Sequence, residues 1–238
     1  AGLYLNNVGS ALTTTFSNFT LNLNGGNSLN FGNANIATFI LPGNITLTGT
    51  NTFSSPNIRE TLSLTGLISG SGNLVFLGGG AQNNHFLKLS GANTYTGTTA
   101  ATSGSGGTTI QLVGGANRLP TTTTLALTSG NSGTYSQLDL NANNQTLAGL
   151  TSAVTSTGLL ANTSVVNSNT TTSGTLNLNI ASGNNTFGGV LGGLVRTVTG
   201  GTSAGDNLAL TKSGAGTLIL TGTSSYTGTT TIAEGTLQ

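Results

Sequence analysis

Apolar residues in this chain recur at every second position over short spans, and that spacing narrows the possible folds more than any other feature. The pairs include Leu21/Leu23, Ile45/Leu47, Leu62/Leu64, Leu74/Phe76, Leu87/Leu89, Ile110/Leu112, Leu125/Leu127, Leu138/Leu140, Leu208/Leu210 and Leu218/Leu220. A period of two sets these side chains on one face of an extended strand and the intervening Thr, Ser or Asn on the other. Spacing at three and four does not recur, and abundant Gly and β-branched Thr disfavour helix. The reading is all-β with almost no helix.

The strands are brief, about three to five residues, and separated by clusters such as Asn24-Gly25-Gly26-Asn27 and Gly78-Gly79-Gly80. These clusters supply positive φ and side-chain caps for turns. Many short strands with one inward face suit a solenoid, whose coils stack one on the next. Charge agrees: only nine of 238 residues are Asp, Glu, Lys or Arg, against 46 Thr, 38 Gly, 29 Asn and 24 Ser. Like charges stacked at ~4.8 Å repel, whereas stacked Asn and Thr can hydrogen-bond along the axis. The 34 Leu, 9 Ile, 9 Val and 8 Phe argue against disorder. At about 20 residues per coil the chain makes about eleven or twelve coils and a rod of ~50–60 Å.

Composition also excludes functions. With no Cys there is no disulfide framework and no thiolate metal site. A net charge of +1 provides no field for nucleic acid or an anionic membrane surface. No run reaches the ~18 apolar residues of a spanning helix, so no membrane insertion is expected. The sequence opens at Ala1 with neither Met nor a leader pattern, as in a processed form or an excised piece.

An internal repeat is present. Residues 87–99 (LKLSGANTYTGTT) align with residues 218–230 (LILTGTSSYTGTT), matching Gly91 with Gly222 and Tyr95 with Tyr226. The second copy lies within 208–238. Its Thr211-Lys212-Ser213-Gly214-Ala215-Gly216-Thr217-Leu218, its Ser225-Tyr226-Thr227-Gly228, and its Ile232 with Glu234-Gly235-Thr236-Leu237 closely resemble the autotransporter-associated β-strand repeat of bacterial type V secreted passengers. The first copy departs from the pattern at Gly78 to His85 and at Ala100 to Gly107. The resemblance implies a right-handed parallel β-helix, export to the extracellular side or bacterial cell surface, and a stalk or display role without shared catalytic residues. The domain reading is one solenoid over 1–238, with repeat copies at about 66–99 and 188–238. A loop or distorted coil is expected at 151–172.

The candidate chemical groups are few. His85 with Lys88 would supply a base and an electrostatic helper, but Asn83-Asn84 beside it suggest an exposed turn. Arg59-Glu60 reads as an exposed pair of little value. Glu60, Asp139, Asp206 and Glu234 are far apart in sequence; a polysaccharide-active enzyme needs two of them within about 5–10 Å. Two Asp residues exclude calcium nonapeptide repeats. Tyr95 and Tyr226 are expected to pack at coil corners with hydroxyls bonded to backbone. The runs Thr46/Thr48, Thr121–Thr124 and Thr229–Thr231 lack the constant period of an ice-binding ladder. No catalytic, cofactor-binding or metal-binding residues are expected. The expected role is a non-enzymatic stalk or fibre unit whose partners are neighbouring repeats of its parent chain or another copy, end to end. An adhesin surface for glycans or cells is the alternative.

Overall fold

The computed structural model describes residues 2–6, 13–16, 19–32, 37–55, 59–80, 84–131, 133–155, 158–159, 162–196 and 202–238. The strands form a parallel β-solenoid. One sheet stacks seven strands, beginning Gly2–Asn6, Asn27–Gly32, Thr50–Ser55 and Asn73–Gly78. A second stacks eight, including Thr61–Leu64, Asn84–Leu89, Gly107–Leu112, Ser136–Asp139 and Thr163–Val166. Shorter sheets such as Leu21–Leu23, Ile45–Leu47 and Ile68–Gly70 supply a third side. Among the described residues no helix is long and apolar enough to cross a membrane.

Period-two patterning becomes a core through register. In the eight-stranded sheet Phe39, Leu62, Leu87, Ile110, Leu138, Val165 and Leu191 stand directly over one another. All seven are fully buried. Each coil adds one member, and a one-residue slip would turn the column to solvent. Phe31 stacks with Phe76 at 6.3 Å and 5° within the same core.

The coils are longer than the composition and turn spacing lead one to expect. Phe53 pairs with Phe76 in the next coil, and Ile110 with Leu138. Eight strands fill the longest sheet, where the shorter coil implies eleven or twelve. The extra residues form corners. Two corner positions explain the glycines of the repeat. A methyl on Gly91 would overlap the carbonyl of Gly66 below it, and one on Gly97 would overlap that of Gly72. Gly222 and Gly228, their counterparts, meet the carbonyls of Gly189 and Leu208 in the same way. Only glycine permits this backbone approach.

Asparagine side chains tie the coils together. Asn93 accepts from the Ile68 amide of one neighbouring coil and donates to the Arg118 carbonyl of the other, both at 2.8 Å. Asn73, Asn117, Asn144 and Asn185 accept from amides of neighbouring coils. Within 151–172, strands Gly149–Val154 and Thr163–Val166 take places in the two long sheets. The coil is stretched there, since the partner of Leu147 is as distant as Leu178. Residues 156–157 and 160–161 of that segment lie outside the described residues.

One segment leaves the solenoid pattern. Leu194–Arg196 pairs antiparallel with Thr202–Ala204, forming a hairpin among otherwise parallel ladders. Gly192 and Gly193, at φ 88° and 90°, lead the chain into it. Its base is closed by Gly205 donating to the Gly193 carbonyl at 2.7 Å.

Candidate binding cleft

Most of the titratable groups are structural. His85 is not in an exposed turn: it sits on Asn84–Leu89 with its ring inside the solenoid, fully buried. Glu60 is not half of an exposed pair either. Arg59 takes a left-handed turn conformation, φ 48°, and Glu60 is fully buried. Ser55 joins the two. Its hydroxyl donates to Glu60 Oε2 and lies 2.6 Å from His85 Nδ1. Ser55 thus bridges the carboxylate and the imidazole, while the other ring nitrogen, Nε2, has no hydrogen-bond partner among the described residues. Burial pushes the His85 pKa down to about 4, against a smaller opposing effect of the Gly80 backbone, so the ring is neutral at pH 7. Serine lies between acid and imidazole here, so imidazole is not placed between nucleophile and acid as a hydrolytic triad requires.

The other predicted groups also resolve. Asp139 is fully buried, and its carboxylate accepts from Gln111 Nε2 at 2.7 Å and from the Asn141 and Ser168 amides at 3.0 and 2.9 Å. Asp206 accepts from Gly193 N and Ser225 Oγ and so anchors the hairpin base. Glu234 is exposed. Glu60 faces the interior and Asp139 the outer side, so these two carboxylates do not share a site. Lys212 is fully buried, its ammonium donating to the carbonyls of Ser213, Gly214 and Glu234 at 2.8, 2.7 and 3.2 Å. Among the described residues no group of three His, Asp or Glu side chains could hold a metal ion.

Tyr95 and Tyr226 are corner residues, as expected, but their hydroxyls bond to threonine rather than backbone: Thr99 and Thr230, each at 2.6 Å. Burial pushes the Tyr95 hydroxyl pKa up. The column through Thr52 runs Ser28, Thr52, Val75, Ala100, Ala126, Thr151, a mixed surface and not a hydroxyl ladder.

The most distinctive surface lies under the hairpin, on the outer face of the eight-stranded sheet. Val195 is buried there beside Val166 and Gly205. The Gln137 amide binds the free backbone edge on both sides of Val195: Nε2 donates to the Leu194 carbonyl at 2.6 Å, and Oε1 accepts from the Arg196 amide at 3.2 Å. One side chain thus imitates a strand partner. The Arg196 guanidinium lies over the Tyr135 ring, 5.3 Å from its centroid. Beside this latch a cleft of about 310 Å³ is lined by Phe86, Lys88, Gln111, Asp139, Ser168, Val195, Arg196 and Ser203. Sequence reasoning singled out Lys88 and Asp139 but paired neither with Gln111 or Arg196. Register does so: Lys88, Gln111 and Asp139 are successive members of one outward column.

Comparison with known proteins bears on the last coils, where Leu208–Ser213, Thr217–Leu220, Thr230–Ile232 and Thr236–Leu237 carry the second copy of the internal repeat. Residues 210–238 match the family described as the passenger-associated-transport-repeat. The chain carries a passenger-associated repeat. This repeat supplies the buried Lys212, the corner Tyr226 and the close-packed Gly222 and Gly228 described above. No curated protein and no solved structure matches the chain.

Proposed function

We propose that this chain is a non-enzymatic structural region of an exported bacterial passenger, a right-handed β-helical rod that acts as stalk, spacer or fibre unit at the cell surface. The observation that carries the reading is the uninterrupted column from Phe39 to Leu191, continued by coils that bear the passenger-associated repeat. Internal use of the chemistry supports it: Glu60, His85, Asp139, Asp206 and Lys212 are engaged in holding coils, corners and the hairpin.

The rod reading includes end-to-end association. Thr230–Ile232 and Thr236–Leu237 are edge strands, each paired on one side within the described structure, and Ile232 is 54% exposed. Neighbouring repeats of the parent chain or a second copy are the proposed partners, by strand addition. Head-to-tail contacts do not close, so copies form filaments. Electron microscopy and sedimentation of the full chain test this. Filaments that persist from low to molar salt are expected, because few charges cross the contact; a strictly monomeric particle at high concentration overturns the association.

A second reading, an adhesin-type surface, is favoured by the hairpin and its cleft, which the stalk role does not use.

A further inference from the structure

The cleft beneath the hairpin concentrates charge in a chain nearly free of it. Three of nine charged residues, Lys88, Asp139 and Arg196, line this one cavity. Asp139 is occupied. Oδ1 accepts from the Asn141 and Ser168 amides and Oδ2 from Gln111, so the carboxylate fixes Gln111 and the Ser168 backbone as walls. The two cations have no such occupation. Neither Lys88 nor the Arg196 guanidinium forms an ion pair among the described residues; the guanidinium lies over the Tyr135 ring, and the Arg196 backbone amide donates to Gln137. Two half-exposed cations and one carboxylate leave the cleft with a net charge of +1.

Such a cavity selects an anion with further polar groups. Ser203 offers an exposed hydroxyl, Gln111 and Ser168 polar walls, and Phe86 an aromatic floor. A volume near 310 Å³ lies at the lower end of the ~300–1,000 Å³ of small-molecule sites and suits one ring, not a folded partner. Gln137 fixes the roof, so the site is formed before a ligand arrives. We infer that this cleft binds the carboxylate-bearing sugar of an acidic glycan, with Lys88 and Arg196 on the carboxylate and the Ser203 hydroxyl and amide walls on the ring. This names the ligand class of the adhesin-type surface and does not depend on rod assembly, which microscopy tests separately.

The experiment titrates the full chain with sodium glucuronate, methyl glucoside and sodium acetate, followed by amide chemical shifts and calorimetry. Glucuronate is expected to move resonances around Lys88, Gln111, Ser168 and Ser203 and to bind at least about tenfold more tightly than either the neutral sugar or acetate. Lys88→Gln and Arg196→Gln are each expected to weaken glucuronate about tenfold, with the circular dichroism unchanged. Equal binding of the neutral sugar overturns the inference. So does acetate binding as well as glucuronate, or no response to glucuronate at ~50 mM. Should a substituted chain lose its fold, the comparison of the three ligands on the unsubstituted chain still decides.

Discussion

His85 shows how a single side chain acquires a pH signature from its coil position. In the folded chain its pKa lies near 4, and in the unfolded chain near the ordinary 6.5. The unfolded state therefore binds the proton first as pH falls. Stability from this residue is complete above about pH 6.5 and is lost progressively down to about pH 4. The loss reaches roughly 3 kcal/mol. Denaturant titrations between pH 7 and 4 should show this slope, and His85→Gln should flatten it. Lys212 makes a separate prediction. Lys212→Met keeps the length of the side chain but strips three carbonyls of their shared donor. The Ser213 carbonyl keeps the Ile180 amide at 2.9 Å, while those of Gly214 and Glu234 lose their donor. A lost hydrogen bond to a charged donor costs about 1.5–3 kcal/mol, and chemical denaturation should register that loss although the substitution is toward a more apolar residue. A third concerns the column. Leu138→Ala, at a fully buried position, should cost about 2–5 kcal/mol. The alternation predicts that Leu220 matches Leu210 and Leu218 in burial, yet it is only half-buried: the neighbouring strand Thr236–Leu237 pairs with Thr217 and Leu218 and not with Leu220.

At the level of elements, the solenoid strands were legible because a period of two needs no partner to be recognised. Inward residues such as Leu62, Leu87 and Ile110 fall where that alternation puts them. The corners were legible only as glycine-rich. Their true length, which sets the step from Phe53 to Phe76 and from Ile110 to Leu138, depends on how the coils stack. The hairpin was not legible. Leu-Val-Arg at 194–196 alternates like any solenoid strand, and nothing local says that its partner is antiparallel. Likewise, Asn83-Asn84 and Arg59 gave His85 and Glu60 polar neighbours in sequence, whereas their decisive neighbour, Ser55, is brought by the fold. The hairpin carries its own prediction. Gln137→Ala removes both hydrogen bonds to its edge, so the amides around Arg196 should exchange with solvent at least about tenfold faster, while amides of Asn84–Leu89 should hardly change. Equal acceleration in both segments would show that Gln137 supports the whole rod and not the hairpin alone.

For the whole molecule, direction matters more than total stability. Parallel ladders place every strand-to-strand hydrogen bond along the stacking axis, and Asn93 adds side-chain links that span from Ile68 to Arg118 across its own coil. A pull along that axis loads the coils in series. Each junction bears the full force, and the weakest, an outermost coil with one neighbour, yields first. A bend or twist instead strains many ladders and amide bridges together. Single-molecule stretching from the two ends should therefore give a succession of small, similar steps rather than one large rupture. The rod would be stiff against flexing while shedding length gradually under tension: a tether that gives way one coil at a time.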